Sequence, residues 1–135
     1  MTTVSQTPDA EQIASWQAQE ARRRNEQAYD STVVYKELPS QHVAVEATAT
    51  AVLVTATDMD VIADWLFVMG GRVSTVDLPS GQTVWTLRTV TWSDSPKFPP
   101  VPVFVTVVQA SGQPVMCEIR DAVRVARPAA EAVAA

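Results

Sequence analysis

The sequence predicts an α+β domain of two layers: a mostly antiparallel sheet of about five strands, a central helix on one face and a peripheral N-terminal helix. Three observations predict it. Val61, Ile62, Trp65, Leu66 and Met69 recur at helical spacing and stop at Gly70-Gly71. From Val73 onward the chain alternates in the period of two that marks strands. The elements also fall in the order helix, strand, helix, then two hairpins, which a helix-on-sheet packing satisfies most simply.

Composition sets the bounds. A chain of 135 residues, 47% hydrophobic and 19% charged, is one domain that can bury a core without covalent staples. Its single cysteine, Cys117, can form no internal disulfide. Asp58, Asp60 and Asp64 interrupt the most apolar region, so no run is long enough to span a bilayer. The start, MTTVSQTPDAEQ, lacks the basic and apolar segments of a secretory signal, and a cytoplasmic location is expected. A net charge of −5 disfavours broad affinity for nucleic acid or anionic membrane. Eight arginines against two lysines, with abundant alanine and valine, is the bias of a GC-rich genome.

Residues 1–30 read as a tail and the peripheral helix, 31–127 as a single α+β domain, and 128–135 as a disordered tail after Pro128. The first helix starts at Thr7-Pro8-Asp9 and runs to about Tyr29, acids early and Arg22-Arg23-Arg24 later, as a helix dipole favours. Its apolar stripe is thin, so docking through Ile13 and Trp16 is expected. Thr32–Tyr35 reads as a short strand and His42–Thr55 as one long strand, because β-branched residues dominate. The central helix opens at Thr57 or Asp58 and closes at Gly70, where a left-handed cap belongs. Burying its five apolar side chains contributes roughly 8–15 kcal/mol before entropy.

The first hairpin turns after Leu78. With Pro79–Gln82 as the loop, Leu78 opposes Thr83, Val76 opposes Trp85, and one face carries Val76, Leu78, Trp85 and Leu87 toward the helix. The other carries Val73, Val84, Arg88 and Val90. SDSPKFPP (93–100) is too polar and proline-rich for strand. Val101–Gln109 and Val115–Arg120 then pair around Ser111-Gly112. Their faces hold Phe104, Thr106, Val108, Cys117 and Ile119 on one side and Val103, Val105, Val107 and Met116 on the other.

Two hairpins thus leave a second face that is apolar. Val73, Val84, Val90, Val103, Val105, Val107 and Met116, with Arg88 among them, are the expected interface residues. A patch of that kind marks a protein partner, most simply a second copy of the chain.

No chemistry competes with this reading. Asp58 and Asp60 stand where helix N-termini favour acids, and no glycine or distal glutamate completes a calcium loop. His42 is the only histidine and has no nearby nucleophile or second ligand. Cys117 alternates with Val115 and Ile119 as an inert core residue would. Gly70-Gly71 follows a helix, the reverse of a phosphate loop's order. The expectation is therefore a non-enzymatic interaction or assembly protein with no cofactor or metal, forming a homo-oligomer. Two alternatives stand beside it. One is a nucleic-acid-associated regulator contacting phosphate through Arg22, Arg23 and Arg24. The other is an apolar-ligand binder with a pocket near Trp65 and Trp85.

Overall fold

A computed structural model of the chain describes residues 9–123. The elements in order are α1 (Ala10–Lys36), β1 (Val43–Ala47), β2 (Val52–Ala56), α2 (Met59–Met69), β3 (Arg72–Asp77), β4 (Gln82–Val90) and β5 (Pro102–Ala110). A last helical stretch, α3, covers 117–123. The strands form one five-stranded sheet in the order β1-β2-β5-β4-β3. Every neighbouring pair is antiparallel except β2 with β5. The helices pack on one face of this sheet, and the α+β class expected from the sequence is what the chain adopts.

α1 runs farther than its composition suggests. The expected cap and first turn at Thr7-Pro8 lie outside the described residues, as does the tail after Val123. Within them Asp9 caps the helix, accepting from the Gln12 backbone N–H at 2.7 Å while the Gln12 side chain reaches back. The stretch Thr32–Tyr35, expected as strand, is helical. Tertiary contacts override its β propensity: Tyr29 and Thr32 lie one helical turn apart and are both buried, and Val33 packs beside them. The helix stops where Glu37 turns left-handed (φ 54°) and the Leu38 N–H donates to the Val33 carbonyl at 3.0 Å. That turn also buries Leu38, the apolar contact that accompanies this kind of helix end. α1 therefore docks by its C-terminal half, whereas Ile13 and Trp16, the expected anchors, are exposed.

The expected long strand over 42–55 is a hairpin. Thr48 closes it: its hydroxyl accepts from the Ala51 N–H at 3.0 Å, and its own N–H donates to the Ala51 carbonyl at 2.8 Å. A threonine side chain here supplies what glycine or asparagine usually does, so the turn has no compositional mark. Asn25 Nδ2 donates to the Thr48 carbonyl at 2.8 Å and fixes α1 to that turn.

α2 begins at Asp58, whose carboxylate accepts from the Asp60 N–H at 2.9 Å, and stops at Gly70 as expected, but Gly70 (φ 74°, ψ −165°) is extended with positive φ rather than the expected left-handed cap. Val61, Ile62 and Trp65 are buried against the sheet, and Trp65 stacks on Tyr29 with ring centroids 5.8 Å apart. α1 lies over β1 and β2, α2 over β4 and β5, and the stacked rings fill the seam between the helices.

The β3–β4 register differs by one residue from the expected one. The turn is Leu78–Gly81, with the Gly81 N–H donating to the Leu78 carbonyl at 3.1 Å, so Val76 faces Val84 and Val73 faces Leu87. One residue of slip reverses β3: Val73 goes into the core while Val76 and Leu78 turn outward. The expected strand Val115–Arg120 is not one either. Residues 117–123 are helical, Ile119 inserts into the core and Cys117 is exposed. β5 instead takes β4 and β2 as its partners.

Two close contacts set the sheet's connections. Thr32 Oγ1 donates to the Ala28 carbonyl (2.8 Å) and accepts from the Trp92 N–H (3.0 Å), joining α1 to the end of β4. Gly71 sits at φ 128° with the Arg88 carbonyl so near that an added Cβ would lie 2.3 Å from it. Gly71→Ala must push β3 away from β4, and a loss of roughly 1–3 kcal/mol is expected in urea unfolding. A second prediction concerns Tyr29, whose hydroxyl is buried without a hydrogen-bond partner among the described residues. Burial, helped by Asp30, holds that hydroxyl above its ordinary pKa of 10.0. The folded state favours the neutral phenol, so this contribution is complete below pH 10.0 and is lost as pH rises beyond it. Tyr29→Phe should be neutral or up to about 1 kcal/mol more stable at pH 7. Its advantage should widen above pH 10.0 in denaturation curves.

Candidate interaction surface

Side chains alternate across a strand, so the sheet has a second face, turned away from α1, α2 and α3. The pairing registers arrange this face in straight rows running across the strands. One row reads Glu46, Leu53, Phe104, Arg88 and Arg72 from β1 to β3. The next reads Ala44, Thr55, Thr106, Thr86 and Ser74. Beyond it Val108, Val84 and Val76 line up, and on the other side Pro102 pairs with Val90. Among the described residues no helix covers these rows, and Leu53, Val76, Val90 and Val108 are 40–59% exposed. The face is apolar with a central band of hydroxyls, with Glu46 and Arg72 on its edge strands and Arg88 on β4 beside Phe104.

The expected interface residues divide between the two faces. Val84, Arg88 and Val90 stand on the uncovered one. Val73, Val103, Val105 and Val107 do not: they face the helices and are at most 2% exposed. The physical reason is the inserted position of β5, whose valine face meets Ile62 and Trp65 rather than solvent or a partner. Met116 is remote from the sheet face and lines a hollow with Leu66 and Phe67 of α2. Leu53, Val76, Phe104 and Val108 are the residues that the sequence reading missed. Parity along β5 carries a usable signal, since 103, 105 and 107 are all valine while Thr106 shares the side of Phe104 and Val108. The side holding the hydroxyl is the wetter one.

Charge on the face is unevenly placed. Arg72 and Arg88 are direct cross-strand partners, a like-charge pairing that destabilises a sheet. The Arg88 guanidinium lies over the Phe104 ring, 5.7 Å from its centroid. No carboxylate among the described residues forms an ion pair with either arginine, or any cation with Glu46. Glu46 occupies the opposite end of the same row.

The other expected sites are dispersed. Arg22, Arg23 and Arg24 are exposed and point about 100° apart around α1. Arg23 approaches Glu20 at 3.9 Å, a solvent-exposed pair of little energetic weight. Arg24 lines a hollow between α1 and the proline-rich loop together with Asn25, Lys97 and Phe98. Trp65 is fully buried against Tyr29, and Trp85 points to the helix side, part-buried at the core's margin. Asp58 is spent on capping α2, and His42 is an exposed residue in a left-handed turn (φ 60°).

Compared with protein-family models, with curated proteins and with solved structures, the chain matches none of them. Geometry and charge are therefore what a functional reading can use.

The like-charge pair yields a prediction of its own. Arg72→Thr should stabilise the dilute protein by about 0.2–1 kcal/mol at low salt. The gain should shrink as salt screens the Arg72–Arg88 repulsion, which separates charge relief from strand propensity. Urea denaturation at two ionic strengths measures both.

Proposed function

We propose that this is a non-enzymatic protein that self-associates through the uncovered face of its sheet. The observation that carries the reading is that Leu53, Val76, Val84, Val90, Phe104 and Val108 share one sheet face, on either side of the hydroxyl row, with no element over it among the described residues. A two-layer fold satisfies only one side of a sheet, and a second side with this many large apolar groups gains free energy when another surface excludes water from it.

The size agrees. Five strands span roughly 19 Å and the nine-residue β4 and β5 about 27 Å, a plan area of roughly 500 Å². That is the order of one side of an ordinary interface, about 800 Å² of accessible surface per partner. Threonines 55, 86 and 106 fit the same use, since hydroxyls can exchange hydrogen bonds with another hydroxyl row at small cost.

Sedimentation velocity over a wide concentration range tests the proposal. The wild-type chain should show a reversible concentration-dependent increase in mass. Val108→Glu, at a 42% exposed position, should abolish the increase while leaving the circular dichroism and the monomer's unfolding midpoint nearly unchanged. A wild-type chain that stays monomeric at several hundred micromolar would end this reading.

A further inference from the structure

The cross-strand row specifies how two copies meet. Resting on the self-association proposed above, we infer that the occupant of the face is a second copy of the same chain, related by a two-fold axis that runs parallel to the strands over Phe104. Glu46 of each copy then meets Arg72 of the other.

The derivation uses symmetry and register. Two identical faces can stack with their two-fold axis either parallel to the strands or across them. An axis across the strands lays β1 on β1 and β3 on β3. If it follows the charged row, Glu46 covers Glu46, Arg88 covers Arg88 and Arg72 covers Arg72. If it follows the hydroxyl row instead, Arg88 and Arg72 cover Val84 and Val76. Neither placement sets an opposite charge over Glu46, Arg88 or Arg72, and the first sets like charge on like charge, which is costly.

An axis parallel to the strands keeps every row at its own height and exchanges left with right. β5 is the middle strand of five, so the exchange sets β1 over β3, β2 over β4 and β5 over itself. Phe104 meets Phe104, Leu53 meets the aliphatic stem of Arg88, and Glu46 meets Arg72 on both sides. In the neighbouring row Thr106 meets Thr106 and Thr55 meets Thr86, hydroxyl to hydroxyl. Stacked sheets cross at about 30°, which displaces the ends of the row by about 5 Å, within the reach of an arginine side chain. Arg72 and Glu46 are thereby explained together: neither has a counter-ion among the described residues because the other copy carries it, while Arg88 keeps its place over Phe104.

The experiment is a charge exchange on the full chain, read as dimer dissociation by sedimentation at about 0.1 M salt. Glu46→Arg and Arg72→Glu should each weaken the dimer about tenfold or more, since either substitution sets like charges face to face twice per dimer. The double variant should return to within about threefold of wild type. An equimolar mixture of the two single variants should form a heterodimer, because every pair in it is again opposite in sign. A variant that merely misfolds would not be rescued by mixing. A wild-type dimer that both single variants leave unchanged would overturn this geometry while the self-association stands. Weakened single variants with rescue neither in the double variant nor in the mixture would also overturn it. A monomeric wild type would overturn both.

Discussion

The structure depends on the insertion of β5 between β2 and β4. The other four strands pair only as two hairpins, β1–β2 and β3–β4, whose inner edges β2 and β4 face β5. β5 closes both edges at once, with a parallel ladder on one side and an antiparallel ladder on the other. Its valines at 103, 105 and 107 are then the floor on which Ile62, Trp65 and Ile119 rest. α2 rests on β4 and β5, α1 on β1 and β2, and the Tyr29–Trp65 stack joins the two helices.

That arrangement also explains why one side of the sheet is left bare. α1, α2 and α3 share a single core cluster, so the described chain spends its helical surface on one face. The other face keeps a row of hydroxyls between a valine row and a mixed row in which Glu46 and Arg72 sit on the edge strands and Arg88 on β4. It is neither the polar exterior of a finished two-layer domain nor the uniformly apolar interior of a sandwich. Such a mixture suits a surface that is wet in one state and covered in another.

Much of this was legible in the residues, and the failures share a cause. α2 was readable because its spacing, its Asp58 cap and its Gly70 stop all agree. The parity of β4 was readable for the same reason, with Trp85 and Leu87 on one side and Val84, Arg88 and Val90 on the other. What was not readable depended on contacts distant in sequence. Thr32-Val33-Val34 stays helical because Tyr29 and Thr32 find Trp65 and Trp92, which lie at least thirty-six positions later. Ser111-Gly112 is a local turn signal that points β5 to the residues after it, whereas its partners β4 and β2 are set by the whole sheet. The two faces of β5 are inverted relative to the expectation for that reason, and the Thr48 turn has no mark in the sequence because it is stabilised by a side-chain hydroxyl rather than by a turn-forming backbone.

α1 has a consequence for how stability is distributed. Its 27 residues span about 40 Å, yet only the part from Ala21 onward lies against the domain. The first turns, with Ile13 and Trp16 in solvent, are held by a capping box and by helical hydrogen bonds alone. Opening them costs little, while opening the segment around Tyr29 means dismantling the core. The helix is therefore anchored at its far end and unzips from its near end. A load or a binding event on the first turns would be felt as a change in local helix order long before it reached the sheet.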